Sequence, residues 1–246
     1  MERKNQGGFV DIHTHILPGV DDGALNMDEA LELVRMARMN GTAHLVLTPH
    51  YRGRWRSNTP QLLRRQFDQL VALAKEAAPD MTLYLGNEAA IEREVGDKVA
   101  EGRILPLHNS RYVLLEFSYD TSRIQMVDGV MGVIGSGYTP VIAHAERYRI
   151  IQKDKKLAGD LLEVGALIQL NADSIMGKCG LGIKWTCGRL LRKGMAQFVA
   201  SDAHDPKERP PLLKDCYDHV CKRYGRDYAD AIFRENALAL LSGKWR

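Results

Sequence analysis

Val10-Asp11-Ile12-His13-Thr14-His15-Ile16-Leu17-Pro18-Gly19-Val20-Asp21-Asp22-Gly23 is the stretch whose reading decides the fold. A short apolar run ends in two histidines one residue apart, and two aspartates follow on a turn rich in proline and glycine. On a strand, residues two apart point to the same side, so His13 and His15 can present both imidazoles to one point. That geometry suits a metal ion, although His-x-His by itself also arises by chance.

From this stretch an alternation runs through the chain. Asn26-Met27-Asp28-Glu29 has the form of a helix start, with Asn26 as N-cap and Glu29 placed for a capping box. Met27, Ala30, Leu31, Val34 and Ala37 then recur at helical spacing, and Gly41 ends the helix. A second strand is predicted at 43–48, followed by a long helix opened by Thr59-Pro60 with Leu63, Phe67, Leu70, Val71 and Ala74 on its apolar face. Further strands are predicted at 81–88, 112–117, 140–144, 167–171 and 197–201. Helices are predicted near 124–134 (broken by glycines), 154–164, 185–192, 211–224 and 228–241. Strands and helices alternating at spacings too long for hairpins imply parallel strands joined by right-handed crossovers.

Polar residues at the strand ends choose between a barrel and an open sheet. Strand one ends with His13 and His15, the second is followed by His50, and the third closes on Glu88. The fourth carries Glu116, the fifth ends at His144, the sixth at Asn171, and the seventh leads into Asp202 and His204. In a barrel these carboxyl ends converge on one mouth, where such folds build their active sites. An open doubly wound sheet would keep the first and seventh strands apart. The expected fold is therefore a distorted TIM-like (β/α)7 barrel with a metal site at the C-terminal ends of its strands. His44, His108 and His219 do not fit the pattern.

Nine candidate ligands result: His13, His15, Asp22, His50, Glu88, Glu116, His144, Asp202 and His204. They are too many for one ion and suit two or three. Asp21 is a rival to Asp22. Imidazole mixed with carboxylate and no thiolate points to manganese, iron or zinc. Four carboxylates leave a net +2 with three divalent ions and zero with two, so a trinuclear centre would attract an anion. Asn171 and Ser174 could line the mouth or satisfy loop backbone.

Composition narrows the class further. The 246 residues are 45% hydrophobic and 26% charged, as in an ordinary globular protein, and the net charge of +3 disfavours nucleic acid as the main partner. Cys179, Cys187, Cys216 and Cys221 form no Cys-x-x-Cys pair and are expected to be free thiols. No apolar run approaches the roughly 18 residues of a membrane helix, and no secretory signal precedes the first strand, so no membrane insertion and a cytoplasmic location are expected. Residues 1–8 are expected to be a flexible N-terminal extension and 9–246 a single domain.

The ordered set Asp11-Ile12-His13-Thr14-His15, Asp21-Asp22-Gly23, Thr48-Pro49-His50-Tyr51, Gly86-Asn87-Glu88, Leu115-Glu116-Phe117-Ser118, Ala143-His144-Ala145-Glu146-Arg147-Tyr148 and Ala200-Ser201-Asp202-Ala203-His204 with Arg209-Pro210-Pro211 resembles a known family. It is similar to the bacterial manganese-dependent protein-tyrosine phosphatases of the polymerase and histidinol phosphatase (PHP) superfamily, over about residues 9–241. The resemblance implies a PHP-type barrel with a trinuclear site. It groups His13, His15, Glu88 and Asp202 around one metal, Asp22, His50 and His204 around a second, and Glu88 with Glu116 and His144 around a third. It implies Mn2+, with Fe or Zn possible, and Arg147 and Arg209 as phosphate clamps whose alternative is a surface ion pair. The implied partner is a phosphotyrosine protein, a tyrosine autokinase of capsule or exopolysaccharide export. Other readings are a PHP phosphatase for a small metabolite such as histidinol phosphate, a phosphodiesterase, and a catalytically silent metal-binding partner. The loop Tyr51-Arg52-Gly53-Arg54-Trp55-Arg56 is richer in arginine than the family pattern. It could grip an acidic tail, with Tyr51 or Trp55 against the substrate ring, or be solvated charge.

Overall fold

The computed structural model describes residues 7–92 and 94–244. Of the expected N-terminal extension, residues 1–6 lie outside the described residues. Among the described residues nine strand segments form: β1 (Phe9–Thr14), β2 (Thr42–Leu47), β3 (His50–Tyr51), β4 (Thr82–Leu85), β5 (Glu88–Ala90), β6 (Tyr112–Glu116), β7 (Thr139–Ile142), β8 (Leu167–Asn171) and β9 (Phe198–Ala200). All pair in parallel, in the orders β1-β2-β4 and β3-β5-β6-β7-β8-β9. β2 and β3 are one path interrupted at Thr48-Pro49, and β4 and β5 one path interrupted at Gly86-Asn87. Pro49 lacks the N–H that a continuous ladder needs. A Cβ on Gly86 would meet Pro106 O at 3.1 Å, so Gly86 lets the 105–108 segment approach. That segment fills the wall between β4 and β6: His108 N donates to Leu85 O at 2.9 Å and Leu107 N to Tyr112 O at 2.8 Å.

The sheet returns on itself where β1 meets β9. Thr14 bridges to Ala203, His15 N donates to Ala203 O at 2.7 Å and Asp202 N to His13 O at 3.0 Å. Deeper in the same seam, Ser201 N donates to Asp11 Oδ1 at 3.1 Å. The result is the distorted (β/α)7 barrel that the alternation predicts.

Three apolar clusters hold this frame. Val10, Ile12, Val46, Tyr112, Leu114, Val141, Phe198 and Ala200 form one, stopped at its base by Ala237 and Leu240 of α11 (Asn236–Leu241). Outside β2 and β4, Leu45, Leu47 and Leu85 pack on α1 (Met27–Met39) and α2 (Pro60–Ala77) through Ala30, Leu33, Val34, Leu63 and Leu70. The largest cluster covers β6 to β9 with the later helices. Each fully buried Leu, Ile, Val or Phe contributes roughly 1.5–3 kcal/mol relative to exposure.

Helix ends depart in detail from the sequence reading. Asn26 Oδ1 accepts from Glu29 N at 3.0 Å as an N-cap should, but Glu29 Oε2 accepts from Leu25 N, one residue before the box position. α4 (Arg123–Gly135) is continuous through its glycines. Gly129 is there for space: a Cβ would lie 2.6 Å from Ile91 Cγ1 and 3.1 Å from Phe117 Cε1. The helix predicted at 154–164 begins only at Leu157, as α6 (Leu157–Glu163), because Asp154 Oδ1 turns to accept from Lys156 N and Leu157 N, and an unpredicted short helix, α5 (Arg149–Lys153), precedes it. The helix predicted from 185 starts earlier, at Leu181. The terminal helix predicted at 228–241 runs from Arg226 with a π-helical turn at Ala231–Glu235. Short helices at Val95–Ala100 and Ala172–Met176 had no clear periodic signal. Among the described residues, no helix is long and apolar enough to cross a membrane.

Gly129→Ala is expected to destabilise the protein by about 1–3 kcal/mol through overpacking against Ile91 and Phe117. A urea midpoint unchanged from that of the parent protein would contradict this role.

Candidate metal centre

The loop after β1 is folded tightly enough to bring its aspartates back over the histidines. Ala24 N donates to His15 O at 3.0 Å, and a Cβ on Gly23 would sit 1.8 Å from that oxygen, so only glycine permits the approach. Asp21 Oδ1 accepts from Gly23 N, and Oδ2 accepts from His50 N at 3.0 Å and lies 2.7 Å from His15 Nδ1. Asp21 therefore orients His15 and leaves Nε2 facing the mouth. Asp22, its neighbour, places Oδ1 at 3.3 Å from His50 Nε2 and 3.6 Å from His204 Nε2.

His13 and His15 do converge, with their Nε2 atoms 3.2 Å apart. Glu88 reaches His13 Nε2 at 3.3 Å, His15 Nε2 at 3.4 Å and His144 Nε2 at 2.9 Å. Asp202 Oδ1 lies 3.4 and 3.5 Å from the same two Nε2 atoms of His13 and His15. Three groups of donor atoms are close enough to hold an ion: His15 with Asp22, His50 and His204; His13 with His15 and Glu88; His50 with Glu88 and Glu116. These groups overlap with those implied by resemblance. His15 joins two of them because it sits between the rings of His13 and His204, and His144 Nε2 meets Glu88, which also belongs to the Glu116 group.

The donors fit divalent cations. Ligands held about 2.1 Å from an ion stand roughly 3.0–3.4 Å from one another, the spacing found here. Glu88 Oε2, His50 Nδ1 and His144 Nδ1 are buried without a hydrogen-bond partner, although His50 Nδ1 and Glu88 Oε2 lie 2.7 Å apart. Burial alone would depress the imidazoles, yet the charges of Glu88 and Asp202 raise His13, Asp21 and Glu88 hold His15 well above its ordinary value, and Glu88 and Asp22 push His50 up to about 9. This is a field that draws cations. An incoming ion must displace protons from these rings, so metal binding weakens as pH falls. His204 is the exception: burial and the neighbouring His15 lower it to about 3, so its ring is neutral. Glu116 is raised by burial and by Glu88.

Supporting residues fix the donors. Gln169 Oε1 lies 3.1 Å from His13 Nδ1 and accepts from His144 N at 2.8 Å, and Asn171 Nδ2 donates to Asp202 Oδ2 at 2.8 Å. Asn171 thus serves a ligand candidate rather than loop backbone, while Ser174 is buried and Glu146 Oε1 accepts from Asn171 N. His144 and Asp202 take positive φ angles of 34° and 57°, a strained backbone that aims both side chains. Arg147 Nη1 donates to Asp202 Oδ2 at 3.0 Å, and half-buried Arg209 folds beside His204, whose N donates to Arg209 O at 2.9 Å.

The arginine-rich loop is engaged at home. Arg52 Nη1 donates to both oxygens of Glu116 at 2.7 and 2.8 Å, Arg56 pairs with Glu92 at 2.7 Å, and Arg54 lies over Trp55. Tyr51 is buried, which removes it from any substrate ring, and Trp55 stacks on His50 with centroids 5.3 Å apart. Sequence reasoning named Arg52 only within its basic loop, without its contact to Glu116, and missed Gln169. Only Gln169 left a signal, as the one polar side chain inside the apolar Leu167–Leu170 run. His44, His108 and His219 lie outside the centre, His44 against Tyr84 and His108 edge-on to the same ring. All four cysteines are free.

Fold and donor set together define a barrel whose carboxyl mouth carries a candidate polynuclear metal centre. The chain belongs to the capsular polysaccharide synthesis CpsB/CapC family, whose model matches residues 9–242. It is 32% identical over 238 residues to tyrosine-protein phosphatase CpsB of Streptococcus pneumoniae, covering 95% of this chain and 98% of the relative. Tyrosine-protein phosphatase YwqE of Bacillus subtilis is 34% identical over 234 residues, covering 95% and 91%. A crystal structure from the work on YwqE and CpsB, described there as unique metal-dependent tyrosine phosphatases, superposes with a TM-score of 0.89 at 32% identity, covering 96% of this chain and 95% of that one.

Removing the Asp21 carboxylate as Asp21→Ala is expected to cost about 10–100-fold in metal affinity, because His15 loses its orienting partner. Equilibrium dialysis with metal analysis reads this, and unchanged retention would exclude the role. Asp11 is pushed up to about 6 by burial, against which Ser201 and His13 act only in part. Its folded value lies above its unfolded one, so the stability from the protonated form is whole below about 4 and is lost as pH rises through about 6. In chelator-treated protein, Asp11→Asn should abolish a loss of about 3 kcal/mol between those limits. Parallel pH–stability curves for the two proteins would refute it.

Proposed function

We propose that this chain is a metal-dependent phosphatase that hydrolyses phosphotyrosine on proteins. The observation that carries the reading is the convergence of nine histidine and carboxylate donors at one barrel mouth, in a chain matching CpsB and YwqE, named tyrosine-protein phosphatases, over nearly its whole length. His13, His15, Asp22, His50, Glu88, Glu116, His144, Asp202 and His204 are the ligands, for two or three ions, Mn2+ before Fe or Zn. Residues 9–246 act as one domain. The partner we favour is a tyrosine autokinase of polysaccharide export, and the location cytoplasmic.

Phosphomonoester hydrolysis needs a nucleophile at neutral pH and neutralisation of the phosphoryl oxygens. Bound divalent ions supply both, by acidifying water and acting as Lewis acids. The chain's own residues do the remainder. Asp21 and Gln169 hold His15 and His13 with Nε2 toward the mouth, so the donors need no rearrangement. Arg147 spends one donor on Asp202 and keeps others of its guanidinium for phosphate oxygens. Arg209, which forms no salt bridge among the described residues, offers a second fork, and two such forks suit a dianion better than lysine would. A phenol of pKa about 10 is a leaving group good enough to depart without a strong general acid.

Purified enzyme with Mn2+ is expected to release phosphate from a phosphotyrosine peptide with kcat/KM well above that for histidinol phosphate or a dinucleotide. No release with manganese, iron or zinc would sink the reading, and a preference for histidinol phosphate would move it to a small-metabolite phosphatase. Arg209→Ala should lower kcat/KM on the peptide by roughly 10–100-fold with metal content unchanged, the size of a lost charged hydrogen bond.

A further inference from the structure

Arg52 sits against the donor group that carries two carboxylates, Glu88 and Glu116. Its Nη1 contacts both oxygens of Glu116, and Nη2 lies 3.8 Å from Asp22 Oδ2. The Trp55 ring backs the guanidinium at 5.5 Å and itself stacks on His50. Arg52 is thus held against two of the donor residues, Asp22 and Glu116, with Trp55 between it and His50, on a side chain that is 36% exposed and open to solvent at the mouth. Among the described residues, no comparable cation touches the group formed by His13, His15 and Glu88. Arg147 engages the outer oxygen of Asp202 only.

We propose that Arg52 is a built-in competitor for the His50–Glu88–Glu116 subsite. Its guanidinium claims the Glu116 carboxylate, so this subsite takes a divalent cation last and releases it first. An oxyanion at the mouth that draws Arg52 off Glu116 tightens the subsite. The physical reason is like-charge repulsion. A guanidinium and a divalent cation on one partly buried carboxylate repel each other more strongly than a single guanidinium–carboxylate contact can offset. Phosphate offers Arg52 an alternative anion of the kind its fork matches. Cation number and substrate binding are thereby coupled, with reciprocal effects on affinity. The inference rests on reading the centre as a metal site.

Mn2+ binding by metal-stripped protein at pH 7.5, followed by calorimetry and by metal analysis after dialysis, tests it with and without inorganic phosphate. For the parent protein the last ion should bind at least tenfold more weakly than the others and tighten severalfold with phosphate. Arg52→Gln should bring the last ion within about threefold of the rest and abolish the phosphate effect, while Arg52→Lys, which keeps the charge, should stay near the parent. Thermal unfolding of each variant checks that the fold is intact, and Glu116→Gln should remove the last binding step altogether. A last step that is unchanged or weaker in Arg52→Gln overturns the proposal, Arg52 then being a support for Glu116. A parent protein that binds Mn2+ and hydrolyses phosphotyrosine while Arg52→Gln behaves identically sinks this inference alone. Failure to bind any divalent cation sinks the metal reading with it.

Discussion

The seam between β1 and β9 is the constraint on which the rest depends. Asp11, His13 and His15 meet Ser201, Asp202 and Ala203 through buried hydrogen bonds, and this contact places the donors of the first strand beside those of the last. The seam carries a buried carboxylate, and burial alone drives Asp11 toward its protonated form. It also carries a left-handed residue, Asp202, in a position where an L side chain is strained. Strained backbone and a buried acid survive only where the surrounding structure over-determines them, and here the barrel walls on both sides do so.

Given that closure, the mouth becomes a problem of charge. Carboxylates packed around imidazoles in one buried volume hold protons on His13, His15 and His50 that a free imidazole would shed, the same field that favours a divalent cation. The supporting residues Asp21, Gln169 and Asn171 set which ring nitrogen and which carboxylate oxygen faces inward. Arg147 and Arg52 temper the excess of negative charge from opposite ends, one largely buried on Asp202 and one part-exposed on Glu116.

Much of this was legible in the residues. Apolar runs of strand length, separated by helical periodicity, placed seven strand paths, and a polar residue at each carboxyl end marked the mouth. The misses have physical causes. The late start of α6 and the unbroken α4 depend on what Asp154 bonds and on how close Ile91 comes to Gly129, neither of which periodicity encodes. Asp21 and Asp22 are neighbours on an irregular loop, where no repeat says which side chain supports a histidine and which faces the mouth. In the sequence Arg52 reads only as part of a loop that grips an acidic tail or is solvated charge, because its partner, Glu116, lies 64 residues away.

The sequence by itself determined that parallel strands would alternate with helices and that histidines and carboxylates would gather at one end, since both follow from local periodicity and from the two-residue repeat of a strand. Only the tertiary structure decided which donors share a group, which carboxylate orients rather than faces the mouth, and where each guanidinium lies. Those outcomes turn on contacts such as Asp11 with Ser201, 190 residues apart, that exist only once the barrel has closed.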